Sequence, residues 1–306
     1  MSSELSFPIG LSIVIPLKNE EDSIKDLVEE LLSIFELEQI PWEVIFVDDG
    51  STDLTVQKIY SLSENLSPKV ISYFPSRGQS EAIRQGIDQS KFRYIGLIDG
   101  DGQNDPADLL TMYKSIQNVP KRDFIQGNRY PGRNDTFLRK YFSRIANKLV
   151  QVICGIQLND LGCATKIFDR EVAKQIEFRG EIHRVYAAHA YLHGFRVAEV
   201  KVNHRERRKG ISKYGYSRIW KFVLDALFLR VQYFFSRRPI YALGSVSLVF
   251  LTISVSVGLT AIFLKFLDIR EFIDGPLVSL SIIMFALAVI LFFMAMITDE
   301  IMKKNR

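Results

Sequence analysis

The sequence has few cysteines and little excess charge for its 306 residues. Its two cysteines, Cys154 and Cys163, are too few for a disulfide scaffold or a cysteine-rich zinc site, and they fit a reducing compartment. A formal net charge of +4 is too small to indicate nucleic acid as a partner. The first residues lack a basic segment followed by an apolar one, so we expect no cleaved signal peptide.

Charged residues and histidine are absent from two long stretches near the C-terminus, residues 240–264 and 275–298. A helix needs about 20 apolar residues to cross a membrane, so we predict a transmembrane hairpin within residues 237–306. A pair of buried core helices is the alternative. Basic residues flank the hairpin: Arg237, Arg238, Lys303, Lys304 and Arg306. Because such residues favour the cytoplasmic side, we expect an integral inner- or plasma-membrane protein whose body and termini are cytoplasmic.

A third segment, residues 216–236, precedes the hairpin and has helical periodicity. Arg218, Lys221 and Asp225 fall on one side of this helix, while apolar residues cover much of the rest. Such a pattern predicts an interfacial amphipathic helix that lies against membrane lipids. The alternative is a helix packed on the body or against another subunit, which would make the protein a homo-oligomer.

The body, residues 1–215, alternates short runs rich in Ile and Val with longer helical stretches. Runs at 11–17, 43–49 and 94–99 are the clearest strands, and their alternation with helices predicts an α/β domain with a mostly parallel sheet. In such sheets ligands bind at the carboxyl ends of the strands. Polar and acidic residues end all three runs, so we expect a ligand site at that edge.

Carboxylates dominate this expected edge. Asp99 and Asp101 follow the third run, separated by Gly100, and Asp48 with Asp49 follows the second. Two carboxylates two residues apart can converge on a hard divalent cation that also binds phosphate oxygens, as Mg²⁺ or Mn²⁺ does. Such a pair also occurs by chance in solvated turns. Its recurrence on a second strand favours the metal, because clustered like charges repel unless a cation relieves them.

The ordered motifs of the chain resemble a known family. PLKNEE (16–21), VDDGSTD (47–53), SRGQSEAIRQGI (76–87) and DGDGQNDP (99–106) are similar to motifs of the inverting family 2 glycosyltransferases, which have a GT-A fold. HRERRKGISKYG (204–215) resembles a signature of the polyprenyl-phosphate branch, which includes dolichol-phosphate mannose synthases. The two-span tail resembles bacterial undecaprenyl-phosphate glucosyltransferases. Gly100 and Gly102 depart from the Ala and Leu that are more usual in this branch.

The resemblance implies roles for the residues that match the motifs. A pocket for the nucleotide would be lined by Pro16, Leu17, Glu20, Asp49, Arg77 and Gly78. Asp99 and Asp101 would hold the metal, with Gln103 beside them on the diphosphate. Asp101 would thereby be essential for catalysis.

Basic residues indicate an acceptor that carries phosphate. Residues 201–218 contain seven Lys or Arg against one acid. Guanidinium groups bind phosphate in a bidentate manner, so the candidates for gripping a lipid phosphate are Arg129, Arg139, Arg207 and Lys213. The resemblance supports Arg129 and Arg139 and adds Ser143. Attraction of these residues to anionic lipid headgroups is the alternative.

Asp160 is the candidate catalytic base, because Asn159 to Cys163 resembles the acidic motif on the acceptor side of the family. A phosphomonoester has a second pKa of about 6, however, and is already largely dianionic at neutral pH. Proton abstraction is then unnecessary, and the alternative role for Asp160 is to orient the acceptor or the sugar hydroxyls.

The expected enzyme transfers glucose from UDP-glucose to undecaprenyl or another polyprenyl phosphate at the cytoplasmic face, with inversion. One alternative keeps this chemistry with another donor, such as GDP-mannose onto dolichyl phosphate or a UDP-amino sugar. A processive polysaccharide synthase would carry a Q-x-x-R-W motif and more spans, and neither occurs in this sequence. A membrane-tethered nucleotide-binding protein without catalysis is the last alternative.

Overall fold

The computed structural model describes residues 7–62, 68–118, 123–130, 137–176, 182–205, 217–237, 239–267 and 276–304. The strands are β1 (Leu11–Leu17), β2 (Trp42–Asp48), β3 (Lys69–Ser72), β4 (Tyr94–Leu97), β5 (Phe124–Asn128), β6 (Lys166–Asp169) and β7 (Val197–Lys201). The helices of the body are α1 (Ile24–Phe35), α2 (Thr55–Ser61), α3 (Gln79–Asp88), α4 (Pro106–Asn118), α5 (Phe137–Cys154), α6 (Arg170–Gln175) and α7 (Tyr186–Leu192). Three longer helices follow: α8 (Ser217–Arg237), α9 (Pro239–Phe266) and α10 (Pro276–Lys304). The chain divides into two compact units, Met1–Leu227 and Phe228–Arg306.

The described strands of the first unit form one seven-stranded sheet in the order β3-β2-β1-β4-β6-β5-β7. All neighbouring pairs are parallel except those of β6, which runs antiparallel to both β4 and β5. The predicted α/β domain with a mostly parallel sheet is confirmed. Because β6 is reversed, its first residue lies at the edge where β1, β2, β4 and β5 end. The parallel strands β3 and β7 end there too, so this edge collects the ends of six strands and the start of β6.

Apolar side chains from both faces of the sheet make the core. All seven residues of β1 are buried, as expected for a central parallel strand covered on both sides. In α1 the buried residues recur at helical spacing and cover one face of the sheet: Ile24, Leu27, Val28, Leu31 and Phe35. This core fixes the strand ends, and with them the loops that carry the polar residues.

Among the described residues, two helices are long and apolar enough to span a membrane, α9 and α10. The predicted span 240–264 lies within α9, and α10 begins at Pro276, next to the predicted start. Hydroxyl groups join the two helices: Ser247 Oγ donates to the Ala288 carbonyl at 2.7 Å, and Ser254 and Ser281 each donate to the other's carbonyl, at 2.8 and 2.9 Å. Because lipid offers no hydrogen-bonding partner, these bonds suit a hairpin in hydrocarbon.

The helix α8 covers almost all of the segment predicted to be interfacial. Several of its large apolar side chains are exposed, including Leu224, Leu227, Phe228 and Val231. An exposed apolar surface of this kind suits a membrane interface. Its contact with lipid and the cytoplasmic position of both termini stay predictions.

Candidate active site

The carboxyl edge of the sheet brings together most of the described residues that the sequence predicts for the site. Pro16 and Leu17 end β1, and Leu17 pairs in register with Asp48 at the end of β2. Asp99 lies two residues after β4, and Arg129 directly follows β5. Asp160 precedes β6 and reaches the same edge because that strand runs in the opposite direction.

Asp49 holds the loop that contains two other residues of the predicted nucleotide pocket. Its carboxylate accepts hydrogen bonds from Ser76 Oγ at 2.7 Å, from the Arg77 amide at 2.6 Å and from the Gly78 amide at 3.1 Å. Gly78 has a φ of 96°, a conformation that glycine adopts without the steric cost of a side chain. The Arg77 guanidinium lies 5.2 Å from the centre of the Tyr73 ring. We call these three neutral donors around the carboxylate the Asp49 cradle. The Arg77 side chain itself is exposed.

The loops after β1 and β4 contact each other at the same edge. Ser23 Oγ donates to the Gly100 carbonyl at 2.7 Å and also lies 3.4 Å from the Glu20 carboxylate. A Cβ atom at Gly100 would lie 2.1 Å from the Leu17 side chain. The glycine at this departure from the family pattern therefore lets Leu17, another residue of the predicted nucleotide pocket, pack directly against the loop.

The loop after β4 presents hard oxygen ligands. Asp99 Oδ1 accepts a hydrogen bond from Gln79 Nε2 at 2.8 Å, and Asp101 Oδ1 accepts one from the Gln103 amide at 3.1 Å. No group of three or more His, Cys, Asp and Glu side chains is close enough to hold a metal ion within the described ranges. The carboxylates nonetheless fit Mg²⁺ or Mn²⁺, since Mg²⁺ commonly uses one or two carboxylates and completes its shell with substrate phosphates and water.

Asp160 and Arg129 form a buried ion pair. Arg129 Nε and Nη2 donate to the two carboxylate oxygens at 2.7 and 2.9 Å, and the Arg129 amide donates at 3.1 Å. The Asp160 residue is 1% exposed. Burial alone would lower the pKa of Arg129, but the hydrogen bonds and charge of Asp160 raise it above its ordinary value. The predicted acceptor-binding arginine and the predicted base are thus partners, and their mutual bonds do not use Arg129 Nη1.

The turn that carries Asp160 is also held by Glu199 on β7. One oxygen of Glu199 accepts from the Asn159 and Asp160 amides at 2.8 and 2.9 Å, and the other accepts from Asn159 Nδ2 at 2.7 Å. Sequence reasoning missed Glu199. Its strand, VAEVK, reads as an ordinary half-exposed strand with a solvated charge, so no local signal marks it.

Lys166 is a second residue that the sequence did not reveal. It begins β6 and is 3% exposed. Its ammonium donates to the Cys163 carbonyl, which also accepts from Gln126 Nε2 at 3.0 Å. Burial lowers the pKa of Lys166 to about 8, partly offset by Asp99 and Asp160. A charged residue that opens a short apolar strand, KIFD, was the available signal.

The segment after β7 docks on the acidic loop. Asn104 and His204 form an antiparallel bridge, and the Arg205 amide donates to the Gln103 carbonyl at 2.8 Å. The Arg205 guanidinium pairs with Glu30 at 2.7 Å and with Asp105 at 3.1 Å. Gln103 is thereby tied by its backbone to the start of the basic segment.

The remaining predicted acceptor residues are described only in part. Arg207 and Lys213 lie outside the described residues. Arg139 lies in the first turn of α5, at a position where only the backbone is described. Ser143, one turn further along α5, has its hydroxyl 3.4 Å from the Tyr130 hydroxyl, and Tyr130 is the neighbour of Arg129. Ser143 thus contacts the residue that follows Arg129, and its role toward an acceptor stays a prediction.

Comparisons of the sequence with known proteins agree on one family. The sequence pattern of Glycosyl transferase family 2 matches residues 12–177. Over 280 residues the chain is 33% identical to dodecaprenyl-phosphate galacturonate synthase of Rhizobium johnstonii, covering 90% of this chain and 82% of the relative. It is 31% identical over 229 residues to undecaprenyl-phosphate 4-deoxy-4-formamido-L-arabinose transferase of Shewanella sediminis, covering 71% of this chain and 65% of the relative.

A solved structure supports the predicted fold. Glucosyl-3-phosphoglycerate synthase from Mycobacterium tuberculosis, in complex with Mn²⁺, UDP and glucosyl-3-phosphoglycerate, superposes with a TM-score of 0.56 at 17% identity. The match covers 74% of this chain and 80% of that one. At this identity the likeness shows the fold alone, and the predicted GT-A fold is confirmed.

Proposed function

The chain belongs to glycosyl transferase family 2, and from this premise we propose that it transfers a sugar from a nucleotide sugar to a polyprenyl phosphate. One observation carries the proposal. A single sheet edge holds both the carboxylates suited to a metal–diphosphate, Asp99 and Asp101, and the buried Arg129–Asp160 pair. The two relatives are named for dodecaprenyl and undecaprenyl phosphate, which supports a lipid phosphate as the acceptor.

The donor side would bind the nucleotide diphosphate through a divalent cation. Asp99 and Asp101 would hold Mg²⁺ or Mn²⁺, with Gln103 beside them on the diphosphate, and the cation would neutralise the negative charge that develops on the departing diphosphate. Asp49 would set the shape of the nucleoside pocket through its bonds to the Arg77 and Gly78 amides. Pro16, Leu17 and Glu20 complete the proposed pocket.

The acceptor side would align a phosphate that is already a nucleophile. A phosphomonoester dianion needs no base, and Asp160 has its carboxylate engaged by Arg129. We therefore favour orientation over proton transfer as the role of Asp160. A phosphate oxygen would attack the anomeric carbon as the bond to the diphosphate oxygen breaks on the opposite side, so the configuration inverts. Holding both groups in line would add to the electrostatic stabilisation of the departing diphosphate.

The identity of the transferred sugar is a separate part of the proposal. UDP-glucose remains our first donor, with GDP-mannose and UDP-amino sugars as alternatives. The relatives are named for galacturonate and for 4-deoxy-4-formamido-L-arabinose, so the corresponding nucleotide sugars belong in the same panel. We place the reaction at the cytoplasmic membrane face, because basic residues flank the hairpin.

Full-length protein in isolated membranes tests the proposal when supplied with Mg²⁺ or Mn²⁺, polyprenyl phosphate and a panel of labelled nucleotide sugars. We expect one donor to label the lipid, and we expect Asp101→Asn to abolish this labelling. Asp88→Asn is the matched control, because Asp88 is an exposed carboxylate that pairs with Arg84 on α3. Absence of lipid labelling with every donor would refute the function, and full activity of Asp101→Asn would refute the metal assignment.

A further inference from the structure

Lys166 is a buried cation that the proposed reaction does not use. It occupies the first position of β6, between Leu97 of β4 and Gln126 of β5. Gln126 is fully buried as well. Placing an ammonium group inside a protein costs free energy unless charges or hydrogen bonds compensate it. Its position at the edge that carries the candidate site therefore calls for an explanation.

Hydrogen bonds link Lys166 to the turn that carries Asp160. Its ammonium donates to the carbonyl of Cys163, three residues after Asp160. Glu199 binds the amides at the start of the same turn, and Arg129 binds the Asp160 carboxylate. Lys166 thus fastens the end of this turn to the sheet, while the other two residues fasten its beginning.

The strand pairing brings Lys166 near the donor-side loop, because its register partner Leu97 lies two residues before Asp99. The carboxylates of Asp99 and Asp160 both interact favourably with its ammonium, while Arg129 opposes it. Asp99 follows β4 and Asp160 precedes β6, so the two carboxylates come from neighbouring strands. Without the ammonium, Asp99 and Asp160 would lose a cation with which both interact. Their mutual repulsion would then act on the spacing of the two loops.

We propose that Lys166 is a positioning residue for sugar transfer, which fixes the acceptor-side turn at Asp160 relative to the donor-side loop at Asp99. This role rests on the proposed function, because the distance between the loops sets the distance between acceptor phosphate and sugar. Because Lys166 is 3% exposed, we expect it to contact neither substrate directly. A displacement of about 1 Å in such a site can lower the rate about 100-fold.

Kinetic variants of Lys166 and of its neighbour Gln126 test this role. We expect Lys166→Met to lower kcat by about 10- to 100-fold with little change in KM for the nucleotide sugar, because the Asp49 cradle is untouched. Lys166→Arg, which keeps the charge, should recover most of the loss. Gln126→Met removes the other side-chain donor to the Cys163 carbonyl without changing any charge, so its effect should be much smaller. Lys174→Met, at an exposed lysine, is the control.

Hydrogen exchange in the unliganded full-length protein gives a readout without activity. Lys166→Met should speed the exchange of amides at 159–165 and leave those at 47–53 unchanged. If Lys166→Met does not fold, Lys166→Gln tests the contribution of the charge alone, since it removes the charge but keeps a donor. Unchanged kcat and exchange would overturn the proposal. So would a loss spread over all regions that Lys166→Arg does not recover. Failure of the wild-type protein to label lipid would instead refute the proposed function, and the exchange result would still test the placement of the turn.

Discussion

Two carboxylates at one sheet edge, Asp49 and Asp160, are both almost completely buried, yet they are stabilised in different ways. Asp49 accepts from two backbone amides and a hydroxyl of one adjacent loop, all neutral donors. Asp160 bonds to a guanidinium, and its own turn is fastened by Glu199. Neutral donors lose little when a carboxylate is replaced, whereas a buried ion pair leaves an uncompensated charge when either partner is removed.

The difference has a functional consequence. The donor side is a self-contained cradle, built from residues 76–78 around one side chain. The acceptor side is a network in which Arg129, Glu199 and Lys166 all bind the turn that carries Asp160. We therefore expect substitutions on the acceptor side to affect both stability and turnover, and substitutions on the donor side to affect chiefly nucleotide affinity.

The largest expected effect comes from Arg129→Met. It leaves the Asp160 carboxylate buried without its cation, which should lower the free energy of unfolding by about 3–5 kcal/mol. Denaturant unfolding of full-length protein in detergent measures the change. The double variant Arg129→Met/Asp160→Asn should recover a substantial part, because the orphaned charge is gone. A loss below about 1 kcal/mol for Arg129→Met, typical of exposed pairs, would show that the pair is hydrated and the contrast with Asp49 unfounded.

Glu199→Gln should have the next largest effect. The amide oxygen can still accept from the two turn amides, but the amide nitrogen faces Asn159 Nδ2 as a second donor. Loss of these charge-assisted bonds should destabilise the turn by about 1–2 kcal/mol and lower kcat several-fold at saturating substrates.

The control for Glu199 is Glu171→Gln, at an exposed glutamate that pairs with Lys174. Nucleotide binding in the presence of metal should be the same in both variants and in the wild type. Weaker nucleotide binding in Glu199→Gln alone would contradict the division of the edge into two independent sides.

The same contrast explains what could be predicted from sequence. The donor side has local sequence signals, because buried apolar strands there end in acidic residues. Such features predicted the sheet, its edge and the acidic loop at Asp99 and Asp101. Glu199 contacts Asp160 across 39 positions, and nothing in its own strand marks that partner. The reversed direction of β6, a strand of four residues, has no local signature either.

A smaller effect is expected for Asp49→Asn. The asparagine oxygen can still accept from the Arg77 and Gly78 amides, so the cradle should persist with weaker bonds. A net loss of about 1 kcal/mol would raise the Kd for the nucleotide about fivefold and leave kcat nearly unchanged at saturating donor. Calorimetry with UDP and Mn²⁺ tests this, with Asp88→Asn as the control. A fall in kcat at saturating donor would mean that Asp49 also supports the acceptor side.

The smallest effect concerns Asp108, a carboxylate held by fewer bonds than either of the others. Its main contact is the Asn203 amide at 2.7 Å. Burial raises the pKa of Asp108 from 3.8 to about 6, the charge of Asp105 adds to this, and the Asn203 bond and Arg205 act against it. Because the folded state favours the protonated form, this stabilisation is complete below about pH 4 and is lost as the pH rises through 6.

Asp108→Asn should remove that dependence, so the difference in Tm between variant and wild type should grow in the variant's favour from pH 4 to pH 7. Parallel Tm curves across this range would show that Asp108 is ionised throughout and that the Asn203 amide alone compensates its burial.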